Sequence, residues 1–460
     1  MNEINQTDRR KTYRSIATLY FMMFFCGGIL PVNISNLLIY LPNTTRFGIG
    51  IVTASALIIG IISILSFGYF SDKISEKSLR KKIFIYTNLI WIVSYGLASF
   101  SLNYYFYLLA IITGAVGSGA FLPIGFSMIS DLYSPIHRGK AFGGLQFNSV
   151  LGGGMGIILG GLLGGYVGPL GWRFAYGLGS ALGVLVLIRY ISSAIEPERG
   201  RAEPEFEDFQ GELNYNYKIT LINLKKLFNT KSLGAILLAV LCGGIANTTL
   251  GTWAIFYLET KFGGADAGFL ATTIYILAGS GALPGIIVGG RLGDRYYKAG
   301  KYKGRVIIPI IGLSLGISLQ MAFYLIPFAS TTVLQIVLSW IFFLIIGYLG
   351  AFFVGFSSGN QFAIYSEVAL PEVRGTANAM NGLMVNIGGI FGNFLLSSMI
   401  ENNISSLPSA IFLVLLIWLC GSFFWIIAYF YYTKELKECR DTLTKRRNEL
   451  EETRNKKKEN

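Results

Sequence analysis

The chain has 460 residues, 53% of them hydrophobic and only 14% charged, with a mean hydropathy of +0.54. That balance excludes a water-soluble domain of this length and fits a chain whose solvent is lipid. The formal charge of +13 gathers in the flanks of apolar runs, where it orients membrane spans, and so argues against a nucleic-acid partner.

Apolar windows of about 20 residues, enough to cross a hydrocarbon core, recur along the whole chain. Twelve are expected, over 16–38, 51–70, 83–100, 104–130, 141–167, 174–194, 233–258, 268–290, 306–328, 333–356, 378–399 and 410–432. They divide the chain into an N-terminal arm (1–14), a six-helix bundle (15–195), a linker (196–231), a second six-helix bundle (232–432) and a charged tail (433–460). The first run is long enough to span and has no small-residue cleavage site after it, so both termini are expected to be cytoplasmic. In that orientation the outer loops hold only Arg46, Arg173 and Lys261 of the 38 basic residues, as the positive-inside rule requires.

The linker begins acidic, with Glu196, Glu198, Glu203, Glu205, Glu207, Asp208 and Glu212, and reads there as a solvated tether. Its end, 219–228, is apolar and basic and suits an amphipathic helix on the membrane surface. In the tail, Leu436, Leu443 and Leu450 are spaced as heptads, which a short coiled coil or a lone helical tail would explain. A monomer is expected. Cys26, Cys242, Cys420 and Cys439 have no metal-type or paired spacing, so no cofactor or metal is expected.

Four motifs occur twice and in the same order. Cys26-Gly-Gly-Ile29 recurs as Cys242-Gly-Gly-Ile245, and Gly68-x-x-x-Asp72-Lys73 recurs as Gly290-x-x-x-Asp294-Arg295. Asp131-x-x-x-Pro135-x-x-Arg138-Gly139-x-Ala141 recurs as Glu367-x-x-x-Pro371-x-x-Arg374-Gly375-x-Ala377, and Gly152-Gly153-x-x-Gly156 recurs as Gly388-Gly389-x-x-Gly392. Matching spans are six apart, so both copies share one orientation. This is the parallel-repeat plan of transporters, in which substrate binds between the halves.

These residues resemble the major facilitator superfamily over nearly the whole chain. The loop after the second span is similar to the family signature, although Ser75 and Glu76 stand where glycine and arginine are usual and the basic pair comes later, at Arg80 and Lys81. Gly152-x-x-x-Gly156-Ile157-x-x-Gly160-Gly161 resembles the fifth-span signature of family exporters. The Gly-rich fourth span, Asp131, Arg138 and Gly171-Trp172-Arg173 look most like Spinster-type lipid and lysolipid transporters. The resemblance implies an all-α fold of two parallel-repeat bundles.

A crossed latch is expected from the repeat: Asp72 docks on the start of the eleventh span near Gly375, and Asp294 on the start of the fifth near Gly139. A helix N-terminus offers free N–H groups and a partial positive charge, which stabilise a carboxylate. Gly68, Gly290, Lys73, Arg80 and Arg295 complete the two copies, with Arg138 and Arg374 bonding Asp131, Glu367 or the latch aspartates. No ionisable residue falls near the middle of any span, and Ala110 stands where proton-linked exporters have an arginine. The single histidine, His137, lies in a loop. Polar candidates for a solute pathway are Asn33, Asn36, Gln146, Asn148, Asn247, Thr248, Asn360, Gln361, Asn381 and Asn386, with Tyr275, Trp253 and Tyr365 nearby. Interhelical hydrogen bonding explains each of them equally well.

The expected function is a secondary carrier in the plasma membrane that moves a small organic or amphiphilic solute, lysolipid efflux among the options, by alternating access. The alternatives are sugar-like uptake, and a receptor or scramblase on the same fold. An enzyme is not expected, because no nucleophile, base or metal constellation occurs, and neither does a phosphate-binding Walker loop.

Overall fold

The computed structural model describes residues 6–73, 79–167, 170–206, 217, 221–262, 268–326, 333–401 and 407–459. Ser75, Glu76, Glu207, Asp208 and Glu212 lie outside them. The described residues are helical, without strands. Among the described residues, eleven helices are long and apolar enough to cross a membrane.

The longer helices are α1 (Gln6–Gly27), α2 (Arg46–Lys73), α3 (Leu79–Ser99), α4 (Tyr104–Ser118), α5 (Pro135–Tyr166), α6 (Gly171–Ser193), α7 (Lys231–Phe262), α8 (Ala282–Lys298), α9 (Gly304–Leu325), α10 (Val333–Val354), α11 (Arg374–Glu401), α12 (Leu407–Ser422) and α13 (Phe424–Glu459). The expected third span forms as α3 but is not among the eleven. It places Thr87, Asn88 and Ser94 inside and lets Asn88 accept from Trp91 Nε1 at 2.9 Å, so its apolar residues are diluted by polar ones that bond within the protein. Large apolar side chains face outward elsewhere: Leu109 is 64% exposed, Leu185 63% and Phe394 72%. In water such a surface would aggregate; in a bilayer it is the solvated face.

Local sequence sets the helix ends. Asn103 caps α4 by accepting from Phe106 N at 3.0 Å, and Pro135 opens α5, where its missing N–H costs nothing. Beyond α4 the helix widens into a π-turn over Phe121–Phe126, which contains Pro123, and re-forms over Ser127–Leu132.

Two compact units emerge. The first comprises Met1–Leu227, Tyr365–Gly382 and Lys434–Asn460; the second comprises Phe228–Ile364 and Leu383–Thr433. Within the first, α1 and α5 approach until backbone meets backbone. A Cβ on Gly28 would lie 2.5 Å from Gly153 O, and Cβ atoms on Gly152 and Gly156 would strike the carbonyls of Phe21 and Phe25. The second unit repeats the crossing with the duplicated residues. There a Cβ on Gly244 would come within 2.7 Å of Val385 O, and those on Gly388 and Gly392 would strike Leu241 and Ile245. Even the paired cysteines match, Cys26 lying against Gly179 and Cys242 against Gly421. Small residues at these points permit close helix packing that a larger side chain would forbid.

The tail is not separate from the fold. α13 runs unbroken to Glu459, and Leu436 and Leu443 are 3% and 1% exposed, with Cys439 buried between them. The two leucines are thus spent within the first unit. The amphipathic segment forms a short helix over Leu221–Phe228, with Ile222 and Phe228 exposed and Leu227 buried.

Candidate functional site: a buried charge cluster

The loop between the Ser127–Leu132 helix and α5, the start of α11 and the first part of the linker converge in the first unit. Asp131, Arg138 and Arg374 are 2%, 0% and 1% exposed. Charges this deep persist only when paired and hydrogen-bonded, and each of these is. Arg80, the second residue of α3, donates from Nη1 to Asp131 Oδ2 at 2.8 Å and from Nε to Glu196 Oε1 at 3.2 Å, and its Nη2 reaches Pro197 O at 2.8 Å. Glu196 also accepts from Lys81 N at 2.9 Å, so its carboxylate caps the N-terminus of α3.

The linker then turns inward. Gly200, at φ +74°, adopts the left-handed conformation that glycine takes without strain. Its N–H donates to Asp131 Oδ1 at 2.9 Å, and a Cβ there would press Pro371 Cγ at 3.1 Å. Three residues on, Glu203 is 4% exposed, and its Oε1 accepts from both Arg138 Nη2 and Arg374 Nη2. Arg374 also lies 3.4 Å from Asp131 Oδ1 and donates to Ser366 O at 3.0 Å. Arg138 donates to Ser130 O at 2.9 Å and to Tyr133 O at 3.1 Å. Ser130 and Ser366, from corresponding places in the repeat, share a hydrogen bond of 2.7 Å. Arg80, Arg138 and Arg374 thus face Asp131, Glu196 and Glu203, three charges against three. Burial pushes the Glu203 carboxyl up, but the two guanidinium groups outweigh it and hold the group below its ordinary value of 4.5.

The tail closes over this cluster. Arg446 of α13 grips Glu372 with both Nη atoms, at 2.9 and 2.8 Å; Glu372 is fully buried. Arg440 lies 3.8 Å from Glu205, whose carboxyl is raised chiefly by burial.

The cluster corrects the solvated-tether reading for 196–206: Glu196, Glu203 and Glu205 are interior anchors. Glu203 is the carboxylate on which Arg138 and Arg374 converge. The signal overlooked was the Glu196-Pro-Glu-Arg-Gly200 run, whose proline and glycine specify a turn. Glu372, Arg446 and Arg305 carry no such local signal in the sequence. Arg305 is the second residue of α9, as Arg80 is of α3; it is fully buried and meets Asp294 at 2.6 Å in the second unit.

Of the other latch residues, Gly68 brings α2 against the start of α11, where its Cβ would lie 2.8 Å from Ala379 Cβ and 3.6 Å from Gly375 O. The side chains of Asp72 and Lys73, which end α2, lie outside the described residues. Gly290 and Glu367 are buried and Arg295 is exposed. His137 is exposed in the first turn of α5, 3.3 Å from Ser134 Oγ.

Among the solute-pathway candidates, several side chains are occupied in packing. Asn33 Nδ2 donates to Ile29 O at 3.0 Å and across to Gly160 O at 3.1 Å, and Asn36 donates to Asn33 at 3.2 Å. Asn360 donates to Gly289 O and Phe356 O, both at 2.9 Å, and Tyr365 donates to Asn381 at 3.2 Å. Asn148, Asn247 and Thr248 donate to carbonyls one turn back in their own helices. Gln146, Tyr275, Gln361 and Asn386 are half-buried.

A multi-pass helical membrane chain built on a duplicated unit, with the paired arginines of its two repeats buried on one carboxylate, is of the transporter class. The chain belongs to the Major Facilitator Superfamily, whose sequence pattern matches residues 16–393. It is similar to Protein spinster homolog 1 of Xenopus laevis, 24% identical over 356 residues, covering 76% of this chain and 64% of that relative. The chain therefore spans under two-thirds of that relative's length. It is also similar to Multidrug resistance protein 3 of Bacillus subtilis (strain 168), 22% identical over 390 residues, covering 74% of this chain and 70% of the relative. A bacterial homolog of the human lysosomal transporter Spinster, solved inward-facing and occupied, shares the fold with a TM-score of 0.58 at 16% identity, over 94% of this chain and 99% of that one.

Proposed function

We propose that the chain is a secondary carrier of the cell membrane that exports or flips an amphiphilic organic compound by alternating access. In this reading it has twelve spans, cytoplasmic termini, and the charge cluster as its cytoplasmic gate. The observation that carries it is Glu203 held jointly by Arg138 and Arg374: a bond among three separate segments can exist in one conformation and be absent in another, which lets it bias a two-state equilibrium. Pairing leaves the cluster electrically balanced, so that it closes without an uncompensated charge. The Spinster and multidrug relatives support an amphiphile over a sugar, as does the scarcity of ionisable residues toward the middle of the spans.

The test is solute flux into proteoliposomes containing the purified chain, with labelled lysolipid and labelled hexose compared under imposed pH and sodium gradients. Lysolipid movement that is lost in Arg374→Ala supports the reading. Hexose movement alone would overturn the amphiphile assignment, and ligand binding without movement of either would overturn the carrier.

A further inference from the structure

Between α8 and α9 the second unit makes a tight turn, with Gly300 at φ +72°. Together with α13 this turn borders an open cavity of about 350 Å³ whose lining includes Tyr296, Lys301, Tyr302, Lys303, Ile307 and Thr433. Its position in the chain is informative. On α13 the run Tyr429-Phe430-Tyr431-Tyr432 gives way at Thr433 to Lys434 and Glu435, the aromatic-to-charged change that marks a membrane–water interface. Below it, Ile307 and Ile311 of α9 are 38% and 49% exposed, and Phe430 is 66% exposed. Above it, Lys301 and Lys303 are exposed.

Each part of the cavity suits one part of a phospholipid. No acidic residue lines it, and Asp294 of neighbouring α8 is engaged by Arg305 at 2.6 Å. Lys303 Nζ sits 4.4 Å from the centre of the Tyr429 ring, which holds that ammonium at the mouth. The wall itself is mostly apolar, so it suits hydrocarbon, with the two lysines at its rim. We infer that this cavity receives an anionic membrane phospholipid, with the phosphate at its mouth on Lys301 and Lys303 and the acyl chains descending along Ile307 and Ile311. The inference rests on the membrane setting of α9 and α13 and is independent of what the chain transports.

The test uses the full-length protein in neutral detergent, with native mass spectrometry reading retained lipid after exposure to phosphatidylglycerol or phosphatidylcholine. Phosphatidylglycerol should be retained preferentially, and Lys301→Gln with Lys303→Gln should weaken that retention by about thirtyfold, two basic contacts at an anionic surface being lost. Equal retention of the two lipids, or unchanged retention in the double variant, overturns the proposal. Displacement of phosphatidylglycerol by millimolar inorganic phosphate also overturns it, because the site would then serve a soluble anion. Lys82→Gln, in the first turn of α3, should leave retention as it is.

Discussion

Arg138 and Arg374 occupy the same position in the two copies of the sequence repeat, and both donate to a single atom, Oε1 of Glu203. A residue outside the repeat therefore joins its two copies. The duplication supplied the arginines, and the linker supplied the acid that neither copy contains at that point.

Glu203→Gln keeps the shape of the side chain and removes its charge, leaving two fully buried guanidinium groups short of a partner. Breaking a buried pair on one side costs about 3–5 kcal/mol. The expected outcome is a lower melting temperature, with faster hydrogen exchange confined to the linker and the starts of α5 and α11. Unchanged exchange there would show that the arginines are held by other groups.

The pH response follows from the sign of the Glu203 shift. Its carboxyl is depressed below 4.5 in the folded protein, so its contribution to stability is complete above the ordinary carboxylate range and is lost only as pH falls through that lower value. Glu205 is shifted the other way; it costs stability at neutral pH, and acidification relieves that cost. Between pH 7 and pH 5 the cluster should hold, and acid weakening should begin below about 4.5. A melting profile in detergent across this range checks it, and a collapse between pH 6 and 5 would contradict it.

Cys439 lies on the buried face of α13, and the bidentate pair of Arg446 with Glu372 holds that helix down. In Arg446→Ala the tail should lift, exposing Cys439 to a maleimide at least about tenfold faster, the factor that 1.4 kcal/mol provides. Cys26, buried among the spans, should keep its rate. Equal labelling of Cys439 in both proteins would mean that the leucines alone fasten the tail.

Asn33 and Asn360 bond carbonyls of neighbouring helices. Replacing either by alanine should cost stability, about 0.5–1.5 kcal/mol for the hydrogen bond lost, while leaving solute preference in the flux assay unaltered. A changed preference at normal stability would return them to the pathway.

Asp72→Asn tests the expected latch. Gly68 already brings the end of α2 onto the start of α11, where a carboxylate would meet free N–H groups worth about 0.3–2 kcal/mol. Spin-label distances between the end of α2 and the start of α11 should lengthen. Identical distance distributions in both proteins would remove Asp72 from the gate.

The membrane class, the helical content and the duplication were legible in the residues themselves, because lipid demands runs of apolar side chains and a repeat preserves its small residues wherever backbones touch. Gly152, Gly156, Gly388 and Gly392 could be picked out for that reason, and so could Arg138 and Arg374. What lay beyond the sequence was partnership at long range. Glu203 meets Arg374 across 171 positions, and Arg446 meets Glu372 across 74. Neither spacing leaves a periodic trace, and an acid in a hydrophilic linker looks the same whether it faces water or a buried arginine. The same holds for Asn33 and Asn360, whose amides could equally have faced solute or a neighbouring carbonyl. Tertiary structure decided these cases, because the sign of a buried polar group's contribution depends on whether its partner arrives, and only the folded chain brings the partner.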